Sequence, residues 1–190
     1  MAGGAAVTAI STDADAAIVG NATTDDDNTA TAYVFDIATK DLTLTSDVGS
    51  AVYTIQTGAI TDTATQGDII VATQANDTAT LNVTVASAVL DAGDTAGVIT
   101  IKDLDTAEGD MNVTFTGALT TDTTLIIQAL EDEDSETMTI NFDGATTITG
   151  AVEAENDASN ATGALELKAS AAITFTGGLD LSTGASNAKL

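Results

Sequence analysis

Apolar and polar residues alternate over short runs along most of this chain. The period of two recurs in DLTLT (41–45), AVYTIQ (51–56), TLNVTVA (80–86), VITIKDL (98–104), MNVTFTG (111–117), TMTINFDG (137–144), TTITG (146–150), ALELKA (164–169) and AITFTGGLDL (172–181). Such alternation sends one set of side chains to a core and the other to solvent, so each run predicts a half-buried β-strand. Thr, Val and Ile, which fit a pleated surface, dominate these runs. A sustained helical period is hard to find. The continuous apolar runs in QGDIIVATQA (66–75) and TLIIQALEDED (124–134) are read as further strands, and the expected fold class is all-β.

A weak repeat accompanies the strands. Thr-Gly, a small residue and an aliphatic follow one another at Thr57-Gly58-Ala59-Ile60, Thr116-Gly117-Ala118-Leu119, Thr149-Gly150-Ala151-Val152, Thr162-Gly163-Ala164-Leu165 and Thr176-Gly177-Gly178-Leu179. Each reads as a corner at which Gly lets the chain bend before the aliphatic resumes the inward face. Two architectures accommodate many short strands with such corners, a parallel β-helix or solenoid and an antiparallel β-sandwich. Antiparallel hairpins favour Asn-Gly or Asp-Gly turns, and the chain offers only Asp143-Gly144. The solenoid is therefore favoured, with rungs of about 20 to 25 residues stacked at about 4.8 Å into a rod roughly 40 Å long.

Residues 41–190 form the expected solenoid body. Residues 1–40, with small residues, the cluster Asp25, Asp26 and Asp27, and one clear strand candidate in AYVFDIA, read as an N-terminal arm or irregular lead-in segment. Such an arm could be a solvated loop or could add a strand to a neighbouring subunit.

The segments NATGALELKASAAITFTGGLDLSTG (160–184), MNVTFTGALTTDTTLIIQAL (111–130) and INFDGATTITGAV (140–152) resemble the β-solenoid stretches of secreted bacterial surface proteins. Autotransporter and haemagglutinin-like adhesin passengers, and Ala/Thr-rich S-layer proteins, are written in this style. The resemblance covers about the last 110 residues well and the first 40 poorly. It implies a structural or adhesive role at the cell surface and no catalysis. The glycine- and aspartate-rich nonapeptide of calcium rolls is missing, so that export route and its calcium sites do not carry over.

Composition narrows the chemistry. At 190 residues and 44% apolar content the chain can bury one core, but with 3% aromatic residues and no Trp that core must be thin or layered. Cysteine is absent, so disulfides and thiolate metal sites are excluded. Against 29 Asp and Glu stand Lys40, Lys102, Lys168 and Lys189, giving a net charge of −25. A surface of this sign repels phosphate backbones and anionic lipid, so nucleic acid is not an expected partner. Membrane insertion is not expected either, because no apolar run is long enough to span and the N-terminus has no basic signal region. The chain stops at SNAKL without a recognisable capping element, as a fragment would.

Without His or Cys, imidazole acid–base work and triad-type nucleophiles are unavailable. Paired carboxylates for glycoside hydrolysis are abundant, but aromatic sugar platforms are few, and most phenylalanines fall on inward strand positions. The chain is therefore read as no enzyme. Calcium is the one cofactor considered, since it takes six to eight oxygens from carboxylates and carbonyls on a flexible loop. The leading candidate ligands are Asp103, Asp105, Glu108 and Asp110 in KDLDTAEGD, then Asp25, Asp26 and Asp27. The run LEDEDSE (130–136) is a weaker candidate, because consecutive strand carboxylates point to opposite faces. Sequons occur at Asn21, Asn76, Asn82, Asn112 and Asn160, with Asn82 and Asn112 on outward strand positions.

The sequence thus predicts a non-enzymatic extracellular or cell-surface structural protein that self-assembles into a surface layer, fibre or adhesive stalk, with copies of itself and divalent cations as partners. The alternative is a calcium-dependent adhesin module of β-sandwich type that binds a host or matrix ligand.

Overall fold

The computed structural model describes residues 10–11, 16–19, 28–30, 35–36, 41–45, 52–61, 68–73, 80–90, 98–102, 110–122, 124–128, 137–155 and 164–183. They form eighteen strands and no helix. The first nine are β1 (Ile10–Ser11), β2 (Ala16–Val19), β3 (Asn28–Ala30), β4 (Phe35–Asp36), β5 (Leu42–Thr45), β6 (Val52–Thr61), β7 (Ile69–Ala72), β8 (Thr80–Leu90) and β9 (Val98–Lys102). The rest are β10 (Met111–Phe115), β11 (Leu119–Thr121), β12 (Thr124–Gln128), β13 (Thr137–Phe142), β14 (Thr146–Ile148), β15 (Val152–Glu155), β16 (Ala164–Ala169), β17 (Ile173–Phe175) and β18 (Leu179–Thr183).

Every pairing among these strands is parallel. A parallel neighbour can be reached only by a crossover, and here each crossover passes through the opposite sheet. One sheet of seven strands runs β2-β5-β7-β9-β12-β15-β18, and the other, of eleven, runs β1-β4-β6-β8-β10-β13-β16 with β3, β11, β14 and β17 paired alongside. The chain is a parallel β-solenoid, and the antiparallel sandwich is excluded. Both apolar runs that lacked alternation are strands, β7 and β12.

The rungs are longer than the strand pattern alone implied. Successive rungs are offset by 27 residues at Thr114 and Asn141 and by 30 at Asn82 and Asn112. Each later rung holds three strands, such as β10, β11 and β12, and residues 129–136 and 156–163, which lack alternation in the sequence, also count toward the repeat. Fewer rungs follow, and the seven strands of the shorter sheet stack to about 30 Å at a spacing of about 4.8 Å. Four strands within residues 1–40 pair in the same two ladders: β1 with β4, β2 with β5, and β3 and β4 with β6.

Alternation delivers the core as read. Leu42 and Leu44, Ile69 and Val71, Ile99 and Ile101, and Leu125 and Ile127 line one wall. Leu81, Val83, Met111, Val113, Met138, Ile140, Leu165 and Leu167 line the other, and all are buried. Side chains between these walls stack on equivalents one rung away, so small aliphatics suffice to exclude water. Phe115 and Phe142 are buried and Phe175 is half-buried, in line with their inward positions.

Of the five Thr-Gly corners expected, those at Gly117, Gly150 and Gly177 lie between strands, Gly58 instead falls within β6, whose pairing with β8 continues on both sides of it, and Gly163 lies outside the described residues. A Cβ on Gly144 would overlap the carbonyl of Gly117 directly below, and one on Gly177 would overlap the carbonyl of Gly150. Backbone passes over backbone there, so no side chain fits. Asp143-Gly144, the one hairpin-like dipeptide, is such a corner: the Asp143 and Gly144 amides both donate to the Phe115 carbonyl one rung below, at 2.9 and 3.3 Å.

Candidate assembly surface

The outer face of the long sheet carries polar residues that meet one another across rungs. The Asn112 side-chain amide donates to the Asn82 side-chain oxygen at 3.1 Å, and Asn141 donates to the Thr114 hydroxyl at 3.1 Å. Parallel in-register stacking places equivalent side chains one rung apart, which is what an amide ladder requires. Both asparagines of that first pair lie on the outward face, as expected, and both are half-buried by their neighbours.

Aspartates form a second set of inter-rung contacts that alternation gives no means to foresee. The carboxylate of Asp41 accepts from the Asp68 amide at 2.8 Å, and that of Asp68 accepts from the Val98 amide at 2.8 Å. Asp110 does the same for the Thr137 amide at 3.1 Å, and Asp143 accepts from the Ser170 hydroxyl at 2.7 Å. Asp41, Asp68 and Asp110 each stand immediately before an apolar strand run, the signal that could have identified them. There the first amide of the next rung lies within reach of a short side-chain acceptor.

Of the residues considered as calcium ligands, only Asp110 is among those described, where it is exposed and accepts from the Thr137 amide. Asp25, Asp26, Asp27, Asp103, Asp105 and Glu108 lie outside the described residues, as do all of 131–136 and the sequons at Asn21, Asn76 and Asn160. Among the described residues no three acidic side chains converge in a way that could hold a metal ion. No described helix is long and apolar enough to cross a membrane.

The last rung differs from those beneath it in β17 and β18, although Leu165 and Leu167 of β16 are buried. Among the described residues, no strand pairs with the outer edges of β16, β17 or β18. Inward side chains are buried in lower rungs, as at Ile148 and Val152, but their counterparts Phe175 and Leu179 are half-buried, as is Ile173. In the ladder beneath, the Thr146 amide donates upward to Ala172 at 3.0 Å and the Val152 amide donates upward to Gly178 at 3.1 Å. The same alternation turns the amides of Ile173 and Leu179 to the open side. Lys168 stands at the rim, 56% exposed and paired with Glu166 at 2.6 Å. Among the described residues, such an edge leaves the amides of Ile173 and Leu179 without a strand partner beside half-buried apolar side chains, the kind of edge that can template another strand layer.

No protein-family model, curated protein or solved structure matches this chain.

Proposed function

We propose that the protein is a non-enzymatic structural module of the cell exterior that self-assembles into a surface layer, fibre or adhesive stalk. The observation that carries this reading is the two-sheet parallel ladder whose terminal strands have open edges among the described residues. A solenoid rung cannot bury its apolar face alone, and each added rung repeats the same interface. The side-chain inventory points the same way: without His, Cys or Arg, the chain lacks the usual means of activating a nucleophile or gripping an anionic substrate. Its acidity suits an exterior role in which repulsion between faces is relieved by salt or by divalent cations.

Negative-stain imaging and sedimentation of the purified chain, in low salt, in high salt and with millimolar calcium, test this reading. Filaments, sheets or larger oligomers support it. Isolated particles under every condition contradict it.

A further inference from the structure

We infer that the C-terminal rung, formed by β16, β17 and β18, receives the N-terminal rung of a second copy, so that molecules join head to tail along the solenoid axis. This inference rests on the self-assembly reading and names its partner and its polarity.

Geometry fixes the polarity. All pairings are parallel, so the edge above β18, open among the described residues, can continue its ladder only with a strand running the same way, and among the described residues β2 presents such an edge at the opposite end of the same sheet. Joining unlike edges is a heterologous contact, which generates a linear polymer and not a closed pair. The new interface would also repeat one already built within the molecule, where β15 meets β18 and β2 meets β5 in the same sense.

Charge selects the same pair of ends. Within residues 164–190, Glu166 and Asp180 are balanced by Lys168 and Lys189, so the acidic excess of the chain lies entirely upstream. The first 27 residues carry Asp13, Asp15, Asp25, Asp26 and Asp27 and no Lys. A neutral end therefore meets an acidic one without the repulsion that two acidic flanks of this chain would feel. The half-buried Ile173, Phe175 and Leu179 would then be covered as their lower counterparts are.

Two edge-blocking variants test the inference. Ile173→Pro removes an amide on the open side of β17, a position where proline is tolerated because no ladder bond within the chain is lost. Ala17→Pro does the same for β2, since the Leu42 amide donates upward to Asp68 and the alternation leaves Ala17 facing away from β5. Phe175→Lys, an inward charge on an edge strand, is a second block of the upper end. Circular dichroism establishes that each variant is folded.

Each variant alone is expected to sediment as a monomer under conditions where the unaltered chain polymerises. An equimolar mixture of Ile173→Pro and Ala17→Pro retains one good upper edge and one good lower edge, and is expected to give dimers of twice the monomer mass. If the folded variants polymerise as the unaltered chain does, the axial contact is overturned while self-assembly stands. If the unaltered chain is monomeric under all conditions, both readings fall.

Discussion

Phe142 sits one rung above Phe115 with the two rings nearly parallel, centroids 5.9 Å apart and planes 6° from coincidence, and it meets Phe175 edge-on at 6.4 Å. Among the described residues these three rings pack within a core otherwise made mostly of Leu, Ile, Val and Met. Phe142 is fully buried, whereas Phe175 is half-buried in the last rung. Phe142→Ala is therefore expected to cost about 3 to 5 kcal/mol, as large-to-small core changes do, and Phe175→Ala about half as much. Urea unfolding of the two variants checks the order. Equal losses would mean that the last rung is as well covered as the one beneath it.

Thr57 gives the opposite sign. Its hydroxyl is buried and has no hydrogen-bond partner, on an inward position directly below Val85. A buried hydroxyl without a partner costs more than it contributes, so Thr57→Val is expected to stabilise the chain by about 1 kcal/mol. A lower unfolding midpoint for Thr57→Val would show that the hydroxyl is satisfied.

Two glycines that look alike in the sequence should respond differently. At Gly144 an added methyl group meets the Gly117 backbone, which cannot yield without separating two rungs, so Gly144→Ala is expected to cost about 2 kcal/mol or more. Gly178 has φ +99° but nothing within 4 Å of an added Cβ, so Gly178→Ala pays backbone strain alone, about 1 kcal/mol. Thermal melts of both variants decide this, and a larger loss at Gly178 would argue against backbone-on-backbone stacking at the corners.

The Asp68 carboxylate acts as an acceptor for the Val98 amide, and its charge adds to a net −25. Asp68→Asn keeps a carbonyl oxygen in place and removes one negative charge, so stability should be unchanged or slightly higher. Asp68→Ala leaves the amide without this acceptor and should lose about 1 kcal/mol. Equal losses in both variants would mean that the charge itself matters.

Salt should stabilise the unaltered chain. Self-repulsion of the excess carboxylates is screened as the Debye length falls from about 30 Å at 0.01 M to about 3 Å at 1 M. The exposed Lys168–Glu166 pair is too solvated to offset this. The melting temperature is expected to rise by several degrees over that range in sodium chloride, and a fall would show that attractive pairs dominate.

Much of this architecture was legible because alternation reports directly on burial. MNVTF, LTLT and VITIK each became a strand with the expected residues inside. Rung length was not legible, because the residues between the alternating runs carry no periodic signal yet count toward the repeat. The corners at Gly117, Gly150 and Gly177 were legible, the one expected at Gly58 falls inside β6, and the physical cause was missed: overlaps such as that at Gly144 depend on what lies one rung below, 27 residues earlier in the chain. The Asp41 and Asp68 contacts were missed for the same reason, since each joins groups adjacent only after coiling. Of the proposed calcium ligands, only Asp110 can be placed, and its carboxylate faces the Thr137 amide.

The in-register parallel stack is the claim on which every other one depends, and the absence of native cysteine makes it directly testable. Thr114 and Asn141 are register partners whose side chains meet at 3.1 Å, so Thr114→Cys with Asn141→Cys should place two thiols within disulfide range. Mild oxidation of that double variant should give a monomeric disulfide in high yield, and the shifted pair Thr114→Cys with Thr139→Cys should stay reduced. Efficient bridging of the shifted pair, or none in the in-register one, would contradict the solenoid.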